Sequence, residues 1–456
     1  MSAPELDREL GLEVYLTKGS GVGGSIRMAP EDFVVEEVLV DGSRAHVSGA
    51  TPSRVLNSTL QRQRFLLCIL VKRNWDTLVA VKNVAKQLGV GQGSIQIAGI
   101  KDAKAVTAQH VTIDGASMED VLKVNVKDIQ LYAIGYVREA LSTYYLLGNH
   151  FTIKIKAIAQ EQSTVKKWLT QNFKELETVG GIPNFFGHQR FGTTRPITHL
   201  VGKALVQGKF EEAAMFFLAK SSMHEHPASR KARQQLAETR DFKKALDGFP
   251  RQLRFERLML AHLATSPTDF IGAFQRLPLK LQELFVQAHQ SLLFNRFLGS
   301  RLKAGYALDR AVVGDYVVGV ERSGLPLTKF SKMVSLQDEA AINERVKAGK
   351  MRVALPIIGA RQKLSEGVMG QIEQEILEDE GIKLDELRLN QLSRVGGGGG
   401  LRTVAASVGD FKFDVSTSAE GEGCQAELSF MLHRGCYATV LLREMMKPTD
   451  PLAAGF

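Results

Sequence analysis

The sequence predicts an α+β protein, because stretches of the chain show different hydrophobic patterns. The first 180 residues mix strand-like alternation with helical periodicity. Helical periodicity dominates from about residue 200 to 300, and the pattern beyond residue 300 is mixed again. The length of 456 residues is sufficient for about two or three domains with a substantial core.

Strands are predicted wherever apolar residues alternate with polar ones, or form a short run bounded by turn residues. The run at 65–71 is apolar throughout, so we expect it inside a sheet. The run at 151–157 alternates and would have one solvated, basic face. The predicted strands are 33–40, 65–71, 94–98, 107–113, 151–157, 403–406 and 411–415.

Two helices are predicted in the first part of the chain. Asp76 would cap the first, which ends at Gly89, and the second runs from Ser163 to Val179 before a Gly-Gly pair. Their inward faces are predicted to carry Leu78, Val81, Val84, Ala85 and Leu88 in the first, and Val165, Trp168, Leu169, Phe173 and Leu176 in the second.

The excess of basic residues favours a polyanionic partner such as nucleic acid. Lys and Arg exceed Asp and Glu by 58 to 49, which gives a net charge of +9 and a pI near 9.3. Residues 230–257 hold nine Lys or Arg against four Asp or Glu. A solvated helical face is the favoured interpretation of this segment, and an RNA contact surface is the alternative.

Composition also argues against several classes of protein. Three cysteines are too few for a disulfide framework, and His224 and His226 lack companion ligands, so no metal site is expected. The N-terminus has no secretory signal, and no apolar run is long enough to span a bilayer. A soluble, cytoplasmic protein without a membrane partner is expected.

Two glycine-rich segments need an interpretation. The segment at 19–24 fits the pattern G-x-G-x-x-G, but a strand-like run follows it instead of a helix, so a dinucleotide site is not expected. No Lys-Ser/Thr pair follows it either, which excludes a P-loop. The run Gly396–Gly400 is interpreted as a flexible turn.

The most informative stretch is Gly-Ile-Lys-Asp-Ala-Lys-Ala-Val-Thr-Ala-Gln at 99–109, which places Asp102 in a polar break between two predicted strands. Three other motifs accompany it in chain order. They are Pro-Glu-Asp-Phe-Val-Val-Glu at 30–36, Asn-Phe-Phe-Gly-His-Gln-Arg-Phe-Gly at 184–192 and Gly-Cys-Tyr-Ala-Thr-Val-Leu-Leu-Arg-Glu at 435–444. Together they resemble the TruD family of tRNA pseudouridine synthases, and the ending Leu-Leu-Arg-Glu-Met-Met-Lys resembles archaeal members most.

The resemblance implies a fold and a reaction. It implies a pseudouridine-synthase catalytic domain with a mixed, largely antiparallel sheet, formed by residues 1–200 and 400–456. An inserted α/β TRUD domain at residues 200–400 would interrupt it. The implied reaction converts uridine to pseudouridine, at position 13 of tRNA, and needs no cofactor.

The resemblance also assigns candidate site residues. Asp102 would be the catalytic carboxylate, acting either as a nucleophile or as a base, and it needs a cationic partner to stay ionised. Arg27 is the candidate partner, at a position where the family often carries Lys. Lys101 is the alternative, although its side chain should point away from Asp102 on an extended segment.

Other residues would bind the substrate. Phe33, Phe186 and Tyr437 would line the uracil pocket, and Asn184 would supply a polar contact, since its amide both donates and accepts. Phe185 and Phe191 are expected to pack in the core. Gln189 and Arg190 are expected to organise the loop or touch phosphate, and no role is assigned to His188.

Other classes of function stay open from the sequence alone. A noncatalytic RNA-binding or RNA-chaperone protein is the main alternative, and a nucleotide-dependent enzyme is a weaker one. A monomer is expected, because no symmetric apolar interface is evident in the sequence.

Overall fold

The computed structural model describes residues 2–50, 55–383, 397–417 and 423–456. It confirms the α+β class. The strands, numbered in chain order, are β1 (Phe33–Leu39), β2 (Phe65–Arg73), β3 (Ile95–Ile97), β4 (Val106–Asp114), β5 (Ile129–Val137), β6 (Leu146–Ile158), β7 (Ile182–Pro183), β8 (Tyr316–Val320), β9 (Pro326–Met333), β10 (Met351–Ile357), β11 (Gly400–Thr403), β12 (Ala405–Ala406), β13 (Val408–Thr417) and β14 (Cys424–His433).

The helices lie before, between and after these strands. They are α1 (Glu5–Glu9), α2 (Thr77–Leu88), α3 (Met118–Val121), α4 (Gln162–Thr178), α5 (Thr198–Val206), α6 (Phe210–Ala219), α7 (Pro227–Thr239), α8 (Phe242–Gly248), α9 (Arg254–Leu263), α10 (Phe270–Gln275), α11 (Leu279–Lys303), α12 (Glu339–Lys347), α13 (Gly367–Asp379) and α14 (Ala438–Met446). None of them, within the part of the chain that is described, combines the length and the apolar character needed to cross a bilayer.

The larger sheet is mixed and largely antiparallel, as expected. Its strand order is β13-β14-β6-β1-β4-β2-β5, with β3 added alongside β4. Strands β1 and β4 are parallel, with Val34 opposite Val106, whereas the other pairs in this sheet are antiparallel. The apolar strand β2 lies between β4 and β5, which confirms its interior place.

A second, smaller sheet has the order β11-β10-β8-β9, and the helices α5 to α11 precede it in the chain. One continuous apolar core contains side chains from the larger sheet, such as Phe33 and Ile153, together with Phe294 and Leu298 of α11. The proposed division into residues 1–200 with 400–456 and residues 200–400 stays a prediction.

The predicted helices form for the expected reasons, with one error in the inward face. The Asp76 carboxylate accepts hydrogen bonds from the amides of Leu78 and Val79, and Gly89 ends α2 in the left-handed conformation. Leu78, however, is 49% exposed, because the buried stripe is shifted onto Thr77, Ala80, Val81, Val84 and Ala85. In α4, Val165, Leu169 and Leu176 are buried as predicted.

The glycine-rich segments behave differently from each other. Residues 19–24 form a loop, as expected from the sequence. In the second run Gly396 lies outside the described residues, but Gly397 and Gly398 accept hydrogen bonds from the amides of Ala360 and Arg361. Gly399 has φ +77°, and a Cβ there would meet Gln362 and Ile357. The described part is therefore a packed connection into β11, and the predicted flexible turn is wrong for it.

Candidate functional site

The parallel pairing of β1 and β4 determines where the first group of site residues lies. Parallel strands begin at the same edge of a sheet, so the segments that precede β1 and β4 meet there. The antiparallel strand β2 ends at this edge, with Arg73 opposite Val106. Three chain segments therefore converge, and they bring Arg27, Lys72 and Asp102 together. We call these three residues the charged half of the site.

Arg27 lies beside Asp102, as the sequence hypothesis requires. The Nη2 atom of Arg27 is 3.1 Å from Oδ1 of Asp102, and the two side chains are 10% and 34% exposed. Burial lowers the pKa of the Arg27 guanidinium, and the Asp102 charge acts in the opposite direction. Arg27 has φ +58°, a left-handed conformation that is unusual for an L-residue with a side chain.

The Phe33 ring packs against Arg27 and does not line an open pocket. The guanidinium carbon lies 3.9 Å above the centre of the Phe33 ring, a cation–π contact. The Phe33 ring also makes an edge-to-face contact with the ring of Phe151, and only 1% of Phe33 is exposed. In this structure Phe33 therefore stacks on Arg27, and its contact with uracil stays a prediction.

Lys72 is a site residue that the sequence analysis missed. Its side chain is fully buried, and Nζ donates to the carbonyl oxygens of Asp102 and Trp75, both at 2.7 Å. Burial lowers the pKa of Lys72 to about 8, against the opposing charges of Asp102 and Asp76. A lysine that directly continues the apolar run of β2 is a signal that could have identified it, because a buried ammonium needs partners.

Lys101 points away from Asp102, as expected, and anchors the loop from behind. Its Nζ is 2.8 Å from Oε1 of Glu37 and donates to Oδ1 of Asn149 at 2.8 Å. Glu37 is fully buried and also accepts from the amide of His110. Burial alone raises the pKa of Glu37, but Lys101 and His110 outweigh it, and the net shift is downward.

The second group of site residues forms around a two-residue ladder between β7 and β12. This ladder places Asn184, the next residue after β7, beside the end of β11. The Asn184 amide donates to Oγ1 of Thr403 at 3.1 Å. Arg402 donates twice to Asn184, from Nη2 to the side-chain oxygen at 2.6 Å and from Nε to the carbonyl oxygen at 2.8 Å.

Aromatic rings surround the same arginine. The Arg402 guanidinium carbon lies 4.2 Å from the centre of the Phe186 ring and 6.0 Å from that of Tyr437. Phe186 also meets Tyr437 at 6.0 Å and Phe294 at 5.6 Å, in edge-to-face contacts. We call Asn184, Phe186, Arg402 and Tyr437 the aromatic half of the site.

The charges in the aromatic half are strongly affected by burial. Burial lowers the pKa of Arg402 and raises the pKa of the Tyr437 hydroxyl. Arg402 was missed by the sequence analysis, since a strand arginine after a glycine run carries no specific signal. Only the structure shows that β11 places Arg402 within hydrogen-bonding distance of Asn184.

The remaining residues of the motif at 184–192 organise the loop. Phe185 and Phe191 are fully buried, as expected for core packing. Gln189 accepts from the Thr439 hydroxyl, and Arg190 donates to Ser291 and Gln287. His188 has a partner that was not anticipated. Its Nε2 is 2.7 Å from Oδ1 of Asp7, which is itself bonded to Arg443.

Comparison with known proteins identifies the family. The sequence profile of TruD, tRNA pseudouridine synthase D, matches residues 9–445. The chain belongs to the TruD family.

Relatives of this TruD family member cover its whole length. A protein from Methanosarcina acetivorans, named probable tRNA pseudouridine synthase D, is 36% identical over 99% of each chain. A protein of the same name from Thermococcus sibiricus is 35% identical over 95% of this chain and 97% of its own. A crystal structure from Methanosarcina mazei, named as a candidate tRNA pseudouridine synthase D, superposes with a TM-score of 0.82 at 34% identity and covers both chains completely.

The C-terminal residues contact both the charged half and the loop at 184–192 in this TruD family member. Arg27 Nη1 donates to the carbonyl oxygen of Gly455 at 3.1 Å, and the ring of Phe456 lies 5.6 Å from that of His188. Among the described residues, no hydrogen bond, ion pair or ring contact joins the charged half directly to the aromatic half. The site thus combines a carboxylate with fixed cations on one side and a ring-lined amide on the other.

Proposed function

We propose that this protein isomerises uridine to pseudouridine in tRNA, with Asp102 as the catalytic carboxylate. The observation that carries the proposal is the Asp102 carboxylate, which is one-third exposed and ion-paired to a buried arginine at the meeting point of three chain segments, while the backbone carbonyl of Asp102 accepts from Lys72. Membership of the TruD family supports the same reaction.

The reaction explains why a single ionised carboxylate is sufficient. The N1–C1′ bond of uridine breaks, the uracil turns, a C5–C1′ bond forms, the C5 proton leaves and N1 takes up a proton. Nothing is oxidised, so no redox cofactor is needed. The carboxylate can attack C1′, attack the uracil ring or remove the C2′ proton, and in every route it must carry its charge at the start.

Arg27 and Lys72 would orient Asp102 and place positive charge beside it. The guanidinium contacts the carboxylate directly, while the ammonium of Lys72 holds the backbone carbonyl of the same residue. Arg27 is in turn fixed by the Phe33 ring and the Gly455 carbonyl. Preorganised charges of this kind act strongly, because they need no rearrangement during the reaction.

The aromatic half would receive the extruded base. A uridine in folded RNA must leave its stack before its glycosidic bond is accessible, and stacking on an aromatic ring recovers part of that cost. Tyr437 and Phe186 offer the rings. Asn184 already uses its oxygen toward Arg402 and one N–H toward Thr403, which fixes the amide and leaves one N–H and one lone pair for a uracil edge.

Finer features belong to the same proposal. By resemblance to the TruD family, the target is uridine 13 of tRNA. We propose that the protein acts as a monomer in the cytoplasm and without a nucleotide cofactor. Chemical mapping of pseudouridine in tRNA after reaction would check the position, since a modification elsewhere would refute it.

Tritium release from tRNA labelled at uridine C5 tests the activity. We expect release by the wild type, and a loss of at least about 10³-fold in Asp102→Asn with tRNA affinity retained. Asp247→Asn, at an exposed position on α8, is the matched control and should keep full activity. Thermal melting would show that both variants fold.

The two other outcomes would contradict parts of the proposal. Release by Asp102→Asn at the wild-type rate would remove the catalytic role from Asp102. Tight tRNA binding without release by the wild type would favour the noncatalytic RNA-binding alternative.

A further inference from the structure

The edge strand β9 is unusual because part of it is exposed to solvent on both faces. It is the outer strand of the smaller sheet, hydrogen-bonded to β8 on one side only. Residues 328–332 are all exposed, on both faces of the strand. An ordinary strand in a two-layer fold buries at least one face, so this segment of β9 projects from the body of the protein.

A bulge in β9 explains the projection. Ser331 lies opposite Val318 and Leu327 lies opposite Gly319, so three residues of β9 have no partner on β8. These residues, Thr328, Lys329 and Phe330, form what we call the β9 bulge. Bulges redirect side chains away from the sheet, and Phe330 is accordingly 76% exposed.

The chain segment that carries the β9 bulge is basic. Residues 322–337 contain Arg322, Lys329 and Lys332 and no Asp or Glu. Lys332 pairs with Asp338, whereas Lys329 has no ion pair among the described residues. An exposed aromatic ring beside an unpaired cation is the combination with which proteins hold unpaired nucleotides, because the ring stacks on a base and the cation contacts phosphate.

The hairpin that carries the bulge is fixed to the larger sheet. The His433 Nε2 donates to the carbonyl oxygen of Ser323 at 3.1 Å, in the turn between β8 and β9. Gly324, with φ +84°, packs so closely on the His433 ring that a Cβ would lie 2.8 Å from it. His433 ends β14, four residues before Tyr437. The turn at the base of this hairpin is therefore anchored beside the end of β14.

Among the described residues, no hydrogen bond, ion pair or ring contact joins the β9 bulge to the charged half or to the aromatic half. Phe330 follows Gly324 by six positions, which corresponds to about 20 Å along an extended strand. We propose that the β9 bulge binds an unpaired nucleotide of the substrate RNA away from the modified uridine, with Phe330 stacked on its base and Lys329 on its phosphate. This proposal rests on the proposed function, since it concerns the same RNA.

Binding of full-length tRNA, measured directly as Kd, tests the proposal. Phe330→Ala should raise Kd by about 5- to 150-fold, the range that the loss of one base–aromatic stack predicts. Phe330→Tyr should restore affinity, because it keeps a ring. Lys329→Ala should weaken binding and reduce the slope of log Kd against log salt by about one phosphate contact. The matched control is Leu336→Ala, a neighbouring apolar residue that is 80% exposed, which should leave Kd unchanged.

A second substrate and the kinetics complete the test. In the Phe330→Ala variant, KM for tRNA should rise with Kd while kcat stays at the wild-type value. A short stem-loop that carries only the target uridine should bind the variant and the wild type equally well. An unchanged Kd for tRNA in Phe330→Ala would overturn the proposal, as would an equal loss on the short stem-loop.

Self-association is the competing explanation of an exposed edge strand. A wild type that sediments as a dimer, together with a monomeric Phe330→Ala variant of unchanged tRNA affinity, would assign the β9 bulge to a second copy of the chain and overturn the proposal. Because Kd is measured without turnover, these outcomes do not depend on tritium release. A failure of the proposed function is thus distinguishable from a failure of this inference.

Discussion

The two halves of the site are constructed in opposite ways. The charged half is supplied by segments within the first 114 residues, at one edge of one sheet. The aromatic half collects residues from a much longer part of the chain, from Asn184 and Phe186 after β7 through Arg402 on β11 to Tyr437 before α14, and it packs against Phe294 of α11. The first depends on sheet register and the second on packing between distant elements.

The halves also differ in how their key group is held. The Asp102 loop is fixed from several sides, by Arg27, by Lys72 and through its neighbour Lys101. The Asn184 side-chain oxygen, in contrast, accepts from Arg402 alone among the described residues. Loss of one contact in the charged half should therefore lower the reaction rate without displacing the Asp102 loop. Loss of the Arg402 contact in the aromatic half should displace the Asn184 amide.

Replacement of Arg27 should give the largest effect among single cations. Arg27→Met should lower kcat by about 10²–10³-fold, as expected for the loss of one preorganised electrostatic contact. Affinity for tRNA should change little, because Arg27 is 10% exposed and contributes little to the RNA-facing surface. Single-turnover kinetics at saturating tRNA measure the effect.

The control for this variant is Arg27→Lys, which keeps the charge but not the fork of donors. It should recover part of the lost kcat, since the family resemblance implies that Lys often stands at this position. If Arg27→Met kept most of its activity, the Arg27–Asp102 ion pair would not be needed for the reaction. That result would contradict the proposed difference between the two halves.

Replacement of Arg402 should act through substrate binding. Arg402→Met removes both donors to Asn184 and leaves two buried oxygens without a partner. We expect kcat/KM to fall by about 10–10²-fold, mainly through a higher KM, and the free energy of unfolding to fall by about 1–3 kcal/mol.

Arg352→Met provides the matched control for stability. Arg352 is also an arginine of the smaller sheet, and it donates to Ser407 at 2.9 Å without contacting Asn184. It should lower stability to a similar degree and leave KM unchanged. Equal KM values for the two variants would show that Arg402 has no specific role in orienting Asn184.

Much of the fold could be predicted from local sequence. Alternation and apolar runs gave strands at 33–40, 65–71 and 107–113, and the structure has them within a few residues, because local hydrophobic pattern reflects the side that faces the core. The glycine run was interpreted wrongly in its described part, since a close backbone approach and a relaxed turn both require glycine. Composition cannot separate these two reasons.

Site residues could be predicted from the sequence only where they lie in or beside a family motif. Asp102, Arg27, Asn184 and Tyr437 lie in or beside the four family motifs, and the structure groups them into the two halves described. Lys72 and Arg402 could not be found this way, because their importance depends on which carbonyl or amide they reach. The contacts of the β9 bulge follow from register, which a single sequence does not contain.

The smallest expected effect is a dependence on pH that belongs to the charged half. Burial lowers the pKa of Lys72 to about 8, so its ammonium loses a proton above that pH. A neutral amine makes weaker hydrogen bonds than an ammonium, so the Asp102 carbonyl is held less firmly and one positive charge near the carboxylate disappears. We expect kcat to fall about five-fold as the pH rises through 8, a step that corresponds to the loss of one charge-assisted hydrogen bond.

The sign of the linkage separates this effect from unfolding. Between pH 8 and the ordinary Lys value of 10.5, the unfolded chain binds a proton that folded Lys72 has lost. Stability therefore rises with pH in this window as far as Lys72 is concerned, and a fall in kcat there reflects the site. Lys72→Arg stays charged and should lose the step, while Arg402→Met in the aromatic half should keep it. A step that persists in Lys72→Arg would show that another group titrates, and that the two halves do not differ in the way their charges respond to pH.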